Sequence, residues 1–363
     1  MLSNKTQLRT LITVAVFLIV LMLGMGVIVR RGKGTEHEAY GDDFEAARYP
    51  YQQLDMREKE LYSALYHGIS DFRTEISLPD MFTADEYKKV YLLLATQEPE
   101  FFYLDTVYET AAEMERVTMY YSADKNQAAE MTKQMEAAAD RILSGISPVL
   151  SDDKKLLMIH DGIAEGCVYL DSPNADNAYG CLVEGAAKCE GYAKAFLYVT
   201  RRAGLEAMCV PGTTDRGEAH IWNIAKIGGN YYNIDVTWDD DDSYGIETAH
   251  ACFAVPDQVF SDHLPDKTMF APPACTDAAK TYYQMYGQVL NDAGRLPEML
   301  RTWCGQRPGN LIEFRCTSGD TFAKARTALQ SDPETQQAIA ETAGNLSPHI
   351  FADEKRAVIV ILT

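Results

Sequence analysis

The sequence predicts an N-terminal membrane helix, and it predicts that the rest of the chain folds as an α+β protein. Three observations support this prediction. Residues 11–29 form an uncharged apolar run, residues 189–203 place apolar side chains at helical spacing, and residues 220–238 have the pattern of two strands around a tight turn. With 363 residues and 47% hydrophobic content, the chain can form two or three domains with apolar cores.

The apolar run near the N-terminus has the length of a membrane span. Its 19 residues, 11–29, would extend about 28 Å as a helix, close to the thickness of a bilayer core. A cleaved signal peptide is the alternative, but the run exceeds a usual signal core and no small-x-small site follows it. The flanking basic residues give a weak orientation signal, whereas a single N-terminal anchor usually exports the domain behind it. We therefore expect residues 1–35 to be an uncleaved anchor and the main domain to be extracytoplasmic.

Residues 36–144 predict an α+β N-terminal domain. Residues 56–72 place Leu61, Leu65 and Ile69 four apart, as on one face of a helix. Residues 100–110 and 116–125 are rich in aromatic and β-branched residues, which favours strands, and a helix rich in Ala, Met and Glu extends to about Ile142.

Two further units are expected after residue 144. The unit 145–270 opens with a helix at residues 152–166, whose leading aspartates suit the positive end of the helix dipole. Two prolines near residue 272 indicate a boundary. Residues 271–363 then predict a small α/β domain with a strand at 310–317, one helix at about 321–342 and a strand at 356–363.

Charge and cysteine content narrow the classes of partner. The chain has 53 acidic and 33 basic residues and a formal net charge of −20, a sign that repels nucleic acid, so no nucleic-acid partner is expected. The eight cysteines include no C-x-x-C pair, which argues against a structural zinc site. If the domain is exported, an even count favours disulfides, but one catalytic cysteine would leave an odd number and hence another free thiol.

Cys189 lies at the start of a predicted helix. Apolar residues from Tyr192 to Ala203 keep helical spacing until Gly204, a typical C-terminal stop. The free backbone N–H groups and positive dipole of a first helical turn stabilise a thiolate and can also hold an oxyanion. The alternative is an ordinary buried cysteine, which is the commoner role of that residue.

Residues 220–238 predict a β-hairpin that places a histidine near an aspartate. A two-residue turn at Gly228-Gly229 pairs Trp222 with Asp235, so that His220 and Asp235 become diagonal neighbours on one face. The carboxylate could then reach the imidazole Nδ1 and leave the other nitrogen for Cys189. A three-residue loop would put the two residues on opposite faces. Taken singly, His220 could also be a structural histidine, and Asp235 could also be a residue that caps a turn or helix.

The stretches KCEGYAKAF, HIWN and YYNIDVTWDD together resemble the core of the transglutaminase-like superfamily, especially its bacterial extracytoplasmic members. The resemblance covers residues 152–242, and Ile221, where the family commonly has Ala, departs from it. It implies a papain-like transglutaminase core in which the Cys helix packs on an antiparallel sheet. It also implies that Cys189 is the nucleophile, His220 the base and acid, and Asp235 the orienting carboxylate.

This resemblance predicts a membrane-anchored thiol enzyme that acts on peptide or glutamine amide bonds through a thioester. Hydrolysis is favoured over amine cross-linking, because water is the default acceptor unless the site excludes it. Trp222 and Tyr192 are the expected substrate-binding residues, with Trp222 as one wall. The substrate would be a protein or peptide, and no cofactor is expected. The alternative is a catalytically inactive module that binds peptides or acts as a cell-surface scaffold.

An acidic run and three histidines are the remaining features that could indicate a metal site. The acidic run 239–242 could bind calcium, but it lacks the spaced ligands of an EF-hand, and a solvated loop is the favoured interpretation. His160, His250 and His263 show no metal-ligand spacing with any cysteine and are expected to be structural. No metal site is predicted.

Overall fold

The computed structural model describes residues 48–105, 113–240, 249–304, 311–343 and 348–362. All of them belong to one compact unit, Phe44–Thr363. The predicted membrane segment at residues 11–29 lies outside the described residues. In the ranges that are described, no helix has both the length and the apolarity that crossing a bilayer requires.

The helices alternate with strands along the chain, and the predicted α+β class is confirmed. The helices are α1 (Tyr49–Gln52), α2 (Met56–Ser70), α3 (Ala84–Gln97), α4 (Lys125–Ser144), α5 (Asp152–Ala164), α6 (Cys189–Arg202), α7 (Val236–Asp239), α8 (Tyr282–Met285), α9 (Leu296–Trp303), α10 (Gly319–Ser331) and α11 (Pro333–Ala343). Single 3₁₀ turns at Pro99–Phe101 and Ala293–Arg295 and a π turn at Gly180–Glu184 complete the helical segments.

The strands form small sheets. They are β1 (Glu75–Thr83), β2 (Glu113–Thr118), β3 (Val168–Tyr169), β4 (Ala186–Ala187), β5 (Ala207–Thr214), β6 (Ala219–Ile227), β7 (Asn230–Ile234), β8 (His263–Pro265), β9 (Val289–Leu290), β10 (Leu311–Cys316), β11 (His349–Asp353) and β12 (Val358–Leu362). The central sheet is antiparallel with the order β7-β6-β5-β8, and the C-terminal sheet has the order β11-β12-β10-β9.

The first predicted helix is confirmed, whereas the strand predicted at residues 100–110 is not formed in its described part. Leu61, Leu65 and Ile69 are fully buried on α2. The expected strand at residues 100–110 is wrong in its described part, because a 3₁₀ helix and a turn span residues 99–103. Phe101, Phe102 and the tyrosine after them are all buried, which a strand with one exposed face would not allow. Residues 106–110 lie outside the described residues.

The N-terminal and middle regions share one apolar core. α6 packs on β5 and β6, and its Phe196 is fully buried. The side chain of Gln97, at the end of α3, also bonds both backbone groups of Cys209 on β5, at 2.7 and 3.2 Å. Arg201 on α6 donates to the Gln97 carbonyl at 2.5 Å. These contacts cross residue 144, so the domain boundary expected there does not separate two cores.

The C-terminal region has an apolar core of its own, around Trp303 and Phe314. The single helix expected at about 321–342 is wrong: α10 ends at Ser331 and α11 begins at Pro333. Proline has no N–H to continue the first helix, and Asp332 accepts from Thr335 N at 2.8 Å as a cap for the second. The predicted strands at 310–317 and 356–363 correspond to β10 and β12.

Candidate active site

Cys189 is the first residue of α6, as predicted. Lys188 is extended and donates its backbone N–H to the carbonyl of Ala175 at 2.9 Å, which holds the chain outside the helix until Cys189. Gly191 allows this approach, because a Cβ there would lie 2.4 Å from the Ala175 oxygen. The Cys189 side chain is half-buried, and the first-turn N–H groups have no helical acceptor. The thiol is therefore reachable at the positive end of a helix.

The predicted hairpin turn and register are confirmed for β6 and β7. Gly228 and Gly229 have φ values of 58° and 92°, which a two-residue turn of this kind requires. The pairing runs from Ile227 with Asn230 to Asn223 with Ile234. The ladder ends one residue before Asp235, and the backbone N–H of Asp235 bonds a carbonyl outside the hairpin.

Asp235 leaves the sheet and caps the short helix α7. Its Oδ1 accepts the backbone N–H groups of Thr237 and Trp238 at 3.0 and 3.2 Å. Its Oδ2 lies 2.6 Å from Nε2 of His220. The expected contact through Nδ1 is wrong, because the carboxylate approaches from the cap rather than along the ladder. Nδ1 is then the ring nitrogen left for Cys189, whose side chain lies near enough to His220 to help raise the His220 pKa.

The electrostatics of this group favour a protonated imidazole beside an ionised carboxylate. Burial disfavours the charged ring of His220, but the charge of Asp235, its hydrogen bond and the contact with Cys189 outweigh burial and raise the His220 pKa to about 10. Burial would raise the pKa of Asp235, yet His220 and His263 hold it well below its usual range. A thiol beside such a histidine can transfer its proton to the ring and form a thiolate–imidazolium pair.

Cys189 and His220 face a large cleft between two parts of the chain, whereas Asp235 is buried behind them. The cavity has a volume of about 1010 Å³, and Tyr169, Cys189, His220 and Trp238 line one side. The β11–β12 hairpin lines the other side with residues 351–356, a contribution that the sequence analysis missed. This cleft is large enough to admit an extended peptide or a side chain bearing an amide.

Trp222 and Tyr192 do not occupy the positions expected of substrate-binding residues. Trp222 is 2% exposed, donates its indole N–H to Asn233 at 3.1 Å, and lines a separate cavity of about 340 Å³. Tyr192 is fully buried and donates its hydroxyl to Asp240. Because neither side chain reaches the cleft, the prediction that they touch substrate is corrected to a packing role beneath it.

The structure adds His263 to the candidate site. Its Nε2 lies 3.0 Å from Oδ2 of Asp235, the same oxygen that contacts His220. No local motif links these positions, since His263 is 28 residues beyond Asp235 and reaches it only when β8 pairs with β5. His263 was expected to be only structural, but it also contacts a residue of the candidate site.

The acidic run at residues 239–242 is not a solvated loop in its described part. Asp239 is fully buried; its carboxylate accepts the Cys252 backbone N–H at 2.9 Å and lies 3.2 Å from Nε2 of His160. Asp240 is 7% exposed and accepts from Tyr192. The first two acids of the run thus tie protein segments together, and the remaining two lie outside the described residues.

A second buried charged cluster surrounds His160 and His250. Asp161 Oδ1 lies 2.9 Å from a ring nitrogen of each, and the other nitrogens lie 3.2 Å from Asp239 and 2.8 Å from Glu313. Burial disfavours the charged ring of His160, but Asp161 and Asp239 raise its pKa to about 9. Each histidine therefore sits between two carboxylates: His160 joins α5 to α7, and His250 joins α5 to the C-terminal sheet.

Two groups of side chains lie close enough to share an ion: His160 with Asp161 and His250, and His220 with Asp235 and His263. Tetrahedral zinc with bonds of about 2.0–2.1 Å would hold its ligand atoms about 3.3–3.4 Å apart. The nitrogen–oxygen distances are 2.9 and 2.9 Å in the first group and 2.6 and 3.0 Å in the second. These distances fit direct hydrogen bonds better than a shared ion.

All eight cysteines lie in described residues, and no disulfide joins any of them. Cys304 is exposed and Cys189 is half-buried, whereas the other six are buried. The disulfides considered for an exported domain are thus absent from this arrangement. The cysteines thus comprise a half-buried thiol in the cleft, an exposed thiol that can serve as a reference, and six buried thiols.

Comparison with known proteins places the site within a family match. Residues 136–236 match the family model described as the Transglutaminase-like superfamily, and this span contains Cys189, His220 and Asp235. No curated protein matches the chain.

Similar solved structures include a candidate cysteine protease from Cytophaga hutchinsonii, at 20% identity over 37% of this chain and 41% of that one, with a TM-score of 0.27. A TGase structure matches at 14% identity over 43% and 48% of the two chains, with a TM-score of 0.28. Menin, whose structure reveals the binding site for Mixed Lineage Leukemia (MLL) protein, matches at 11% over 75% and 61%, with a TM-score of 0.28. The chain thus spans less than half the length of the first two.

Proposed function

Because the chain carries a transglutaminase-like domain at residues 136–236, we propose that it is a thiol enzyme that acts on peptide or glutamine amide bonds. In this proposal Cys189 is the nucleophile, His220 the general base and acid, and Asp235 the carboxylate that orients His220. The observation that carries the proposal is that Cys189 and His220 line the same open cleft, while Asp235 holds His220 from behind at 2.6 Å.

The first half-reaction forms a thioester. His220 takes the thiol proton, and the Cys189 sulfur attacks the amide carbon, whose oxygen becomes an oxyanion. The first-turn N–H groups of α6 are suited to stabilise that oxyanion. When the carbon–nitrogen bond breaks, His220 returns its proton to the leaving nitrogen, so ammonia or an amine departs and the acyl group stays on Cys189.

The second half-reaction releases the acyl group. With water as acceptor, His220 takes a proton from the water while its oxygen attacks the thioester carbon. The carbon–sulfur bond then breaks, and the sulfur leaves as a thiolate beside the imidazolium. The products are a carboxylic acid and the starting enzyme. With an amine as acceptor, the same steps would give a new amide.

We favour water as the acceptor. An amine at low concentration competes with water only if the site excludes solvent and positions the amine. Trp222, the side chain expected to form a dry wall, is buried beneath the cleft rather than facing it. The cleft around Cys189 is about 1010 Å³ and open to solvent, which suits hydrolysis.

The wider context of the enzyme is also part of the proposal. The apolar run at residues 11–29 supports an N-terminal membrane anchor and an extracytoplasmic main domain, with a protein or peptide as substrate. A catalytically inactive module that binds peptides remains the alternative function. It predicts a site of the same shape whose Cys189 is no more reactive than an ordinary thiol.

Isotope labelling distinguishes hydrolysis from amine transfer. The chain beyond the anchor is incubated with glutamine-containing proteins, a tagged primary amine and water enriched in ¹⁸O. We expect ¹⁸O in new carboxyl groups to exceed amine incorporation, because water is present at tens of molar. Mass spectrometry of the substrate peptides locates both labels.

The matched control is Cys189→Ala, which should show neither label above background. Predominant amine incorporation that depends on Cys189 would contradict the preference for hydrolysis while preserving the thiol mechanism. Equal labelling by the wild type and by Cys189→Ala would contradict the mechanism itself.

A further inference from the structure

His263 is a buried histidine that the proposed mechanism does not use. Its Nε2 lies 3.0 Å from Oδ2 of Asp235, and its Nδ1 lies 2.8 Å from Oδ1 of Asp262. A neutral imidazole has one N–H and could donate to only one of these carboxylates. The ring of His263 thus stands between two carboxylates, with one nitrogen facing each.

The ring of His263 has little freedom to move. Its side chain is fully buried and stacks on Phe260 with centroids 3.5 Å apart and planes 18° apart. Trp222 and Trp238 pack against it at centroid distances of 5.0 and 4.4 Å. This packing explains why Trp222 is buried, and it fixes the direction in which His263 donates to Asp235.

The hairpin of β11 and β12 contacts Asp262, the second carboxylate beside His263. Nη2 of Arg356, between β11 and β12, lies 3.0 and 2.9 Å from the two oxygens of Asp262. Asp353 binds Nη1 of the same guanidinium at 3.0 Å, and the guanidinium lies 4.9 Å from the centre of the Trp238 ring. Arg356 is 6% exposed, so these charges are paired away from water.

A continuous hydrogen-bonded arm thus joins the C-terminal region to the candidate active site. We define it as Arg356, Asp262 and His263, and it ends on Asp235. Oδ1 of Asp235 already accepts two backbone N–H groups, and Oδ2 is shared by His220 and His263. Each oxygen has two donors, so the carboxylate cannot rotate without losing several bonds.

We propose that His263 is a positioning residue, and that the arm from Arg356 through Asp262 and His263 holds Asp235 in the orientation that His220 requires. The inference rests on the proposed function, because it concerns the same site. The C-terminal region would then contribute to the active site in two ways. It lines one wall of the cleft, and through the arm it orients Asp235. The other charged groups near the arm are Lys355, 3.7 Å from Asp262, and its partner Asp215.

The test compares the rate at which iodoacetamide labels each cysteine of the folded protein at pH 6.5, read by peptide mass spectrometry. Cys304 is the exposed reference thiol, and buried Cys209 reports unfolding. We expect His263→Leu to slow labelling of Cys189 by about 10-fold or more relative to Cys304, because Asp235 loses one of its two Oδ2 donors. Cys209 should stay protected.

Conservative and coupled variants distinguish positioning from mere packing. His263→Gln keeps an N–H donor toward Asp235 and should recover most of the Cys189 rate. Arg356→Met should slow Cys189 less than His263→Leu, and the double variant should be no slower than His263→Leu alone, because both changes act on one arm. Arg301→Met, which breaks an exposed pair with Glu341 in the same region, should leave the rate unchanged.

Three results would overturn the inference: an unchanged Cys189 rate in His263→Leu, no recovery in His263→Gln, or independent, multiplying effects of the two single changes. If His263→Leu exposes Cys209, then His263→Gln and Arg356→Met decide the question by the same criteria. Failure of the proposed function is a different outcome, because wild-type Cys189 would then react no faster than Cys304.

Discussion

Replacing Cys189 by Ala is expected to lower turnover by about 10⁴-fold or more. The thioester route needs a sulfur at the head of α6 beside His220. Of the other seven cysteines, Cys252 alone borders the cleft, and it is only 2% exposed. The half-buried side chain leaves no large void when it is shortened, so the variant should fold. The measurement is release of ammonia or new carboxyl groups from a glutamine-containing protein.

Cys304→Ala is the matched control for that experiment. Cys304 is the exposed thiol, far along the chain from α6, and its loss should leave turnover unchanged. If Cys189→Ala retained more than a tenth of wild-type turnover, a thioester on Cys189 could not be the main route. If both variants lost activity, a nonspecific effect of cysteine removal would be indicated.

Replacing Asp235 by Ala is expected to destabilise the fold by about 3–5 kcal/mol, because it leaves buried charged partners uncompensated. Asp235 is 1% exposed, and its carboxylate meets two imidazoles and two backbone N–H groups. Its loss also removes the cap of α7. The free energy of unfolding, measured in urea at pH 7, should show the difference.

The stability that Asp235 contributes is expected to change with pH in one direction. The pKa of Asp235 is held below that of an unfolded aspartate, so its contribution to stability is present above pH about 4 and is lost as pH falls toward the lowered value. The stability difference between wild type and Asp235→Ala should therefore shrink in acid. Asp266→Ala, an exposed carboxylate that caps Thr268 N at 2.8 Å, is the control and should cost about 1 kcal/mol or less. A similar small cost at both sites would contradict the buried network.

Local patterns in the sequence predicted the parts of the site that short-range geometry controls. The helical spacing after Cys189 and the stop at Gly204 predicted α6, because both features act within a few residues. Gly228-Gly229 predicted the register that brings His220 toward Asp235, since a two-residue turn determines which residues pair. Both predictions depend on backbone rules that need no knowledge of distant segments.

The parts that sequence reasoning missed depend on contacts between distant segments. His263 reaches Asp235 only after β8 joins β5, and Arg356 reaches Asp262 across 94 positions. The ring nitrogen that meets Asp235 was predicted wrongly, because the ladder ends at Ile234 and the carboxylate turns into a helix cap. No periodicity in the sequence records such long-range approaches.

Burial of charged residues explains a second kind of error. An acidic run usually predicts a solvated loop, yet Asp239 is fully buried because His160 and a backbone N–H compensate its charge. Trp222 was expected on the substrate face, but the space between it and the cleft is filled by His263 and its neighbours. Whether a polar or aromatic side chain is buried or exposed thus depends on partners that are distant in the sequence.

The most direct test of the account measures how fast iodoacetamide labels Cys189 and Cys304 in the folded protein from pH 6 to pH 9. If His220 holds Cys189 as a thiolate, Cys189 should react about 10²-fold faster than Cys304 at pH 6, where an ordinary thiol is almost wholly protonated, and should change little up to pH 9. His220→Ala should remove this advantage. Equal rates for the two thiols at pH 6, rising in parallel with pH in both wild type and His220→Ala, would contradict an activated nucleophile at Cys189.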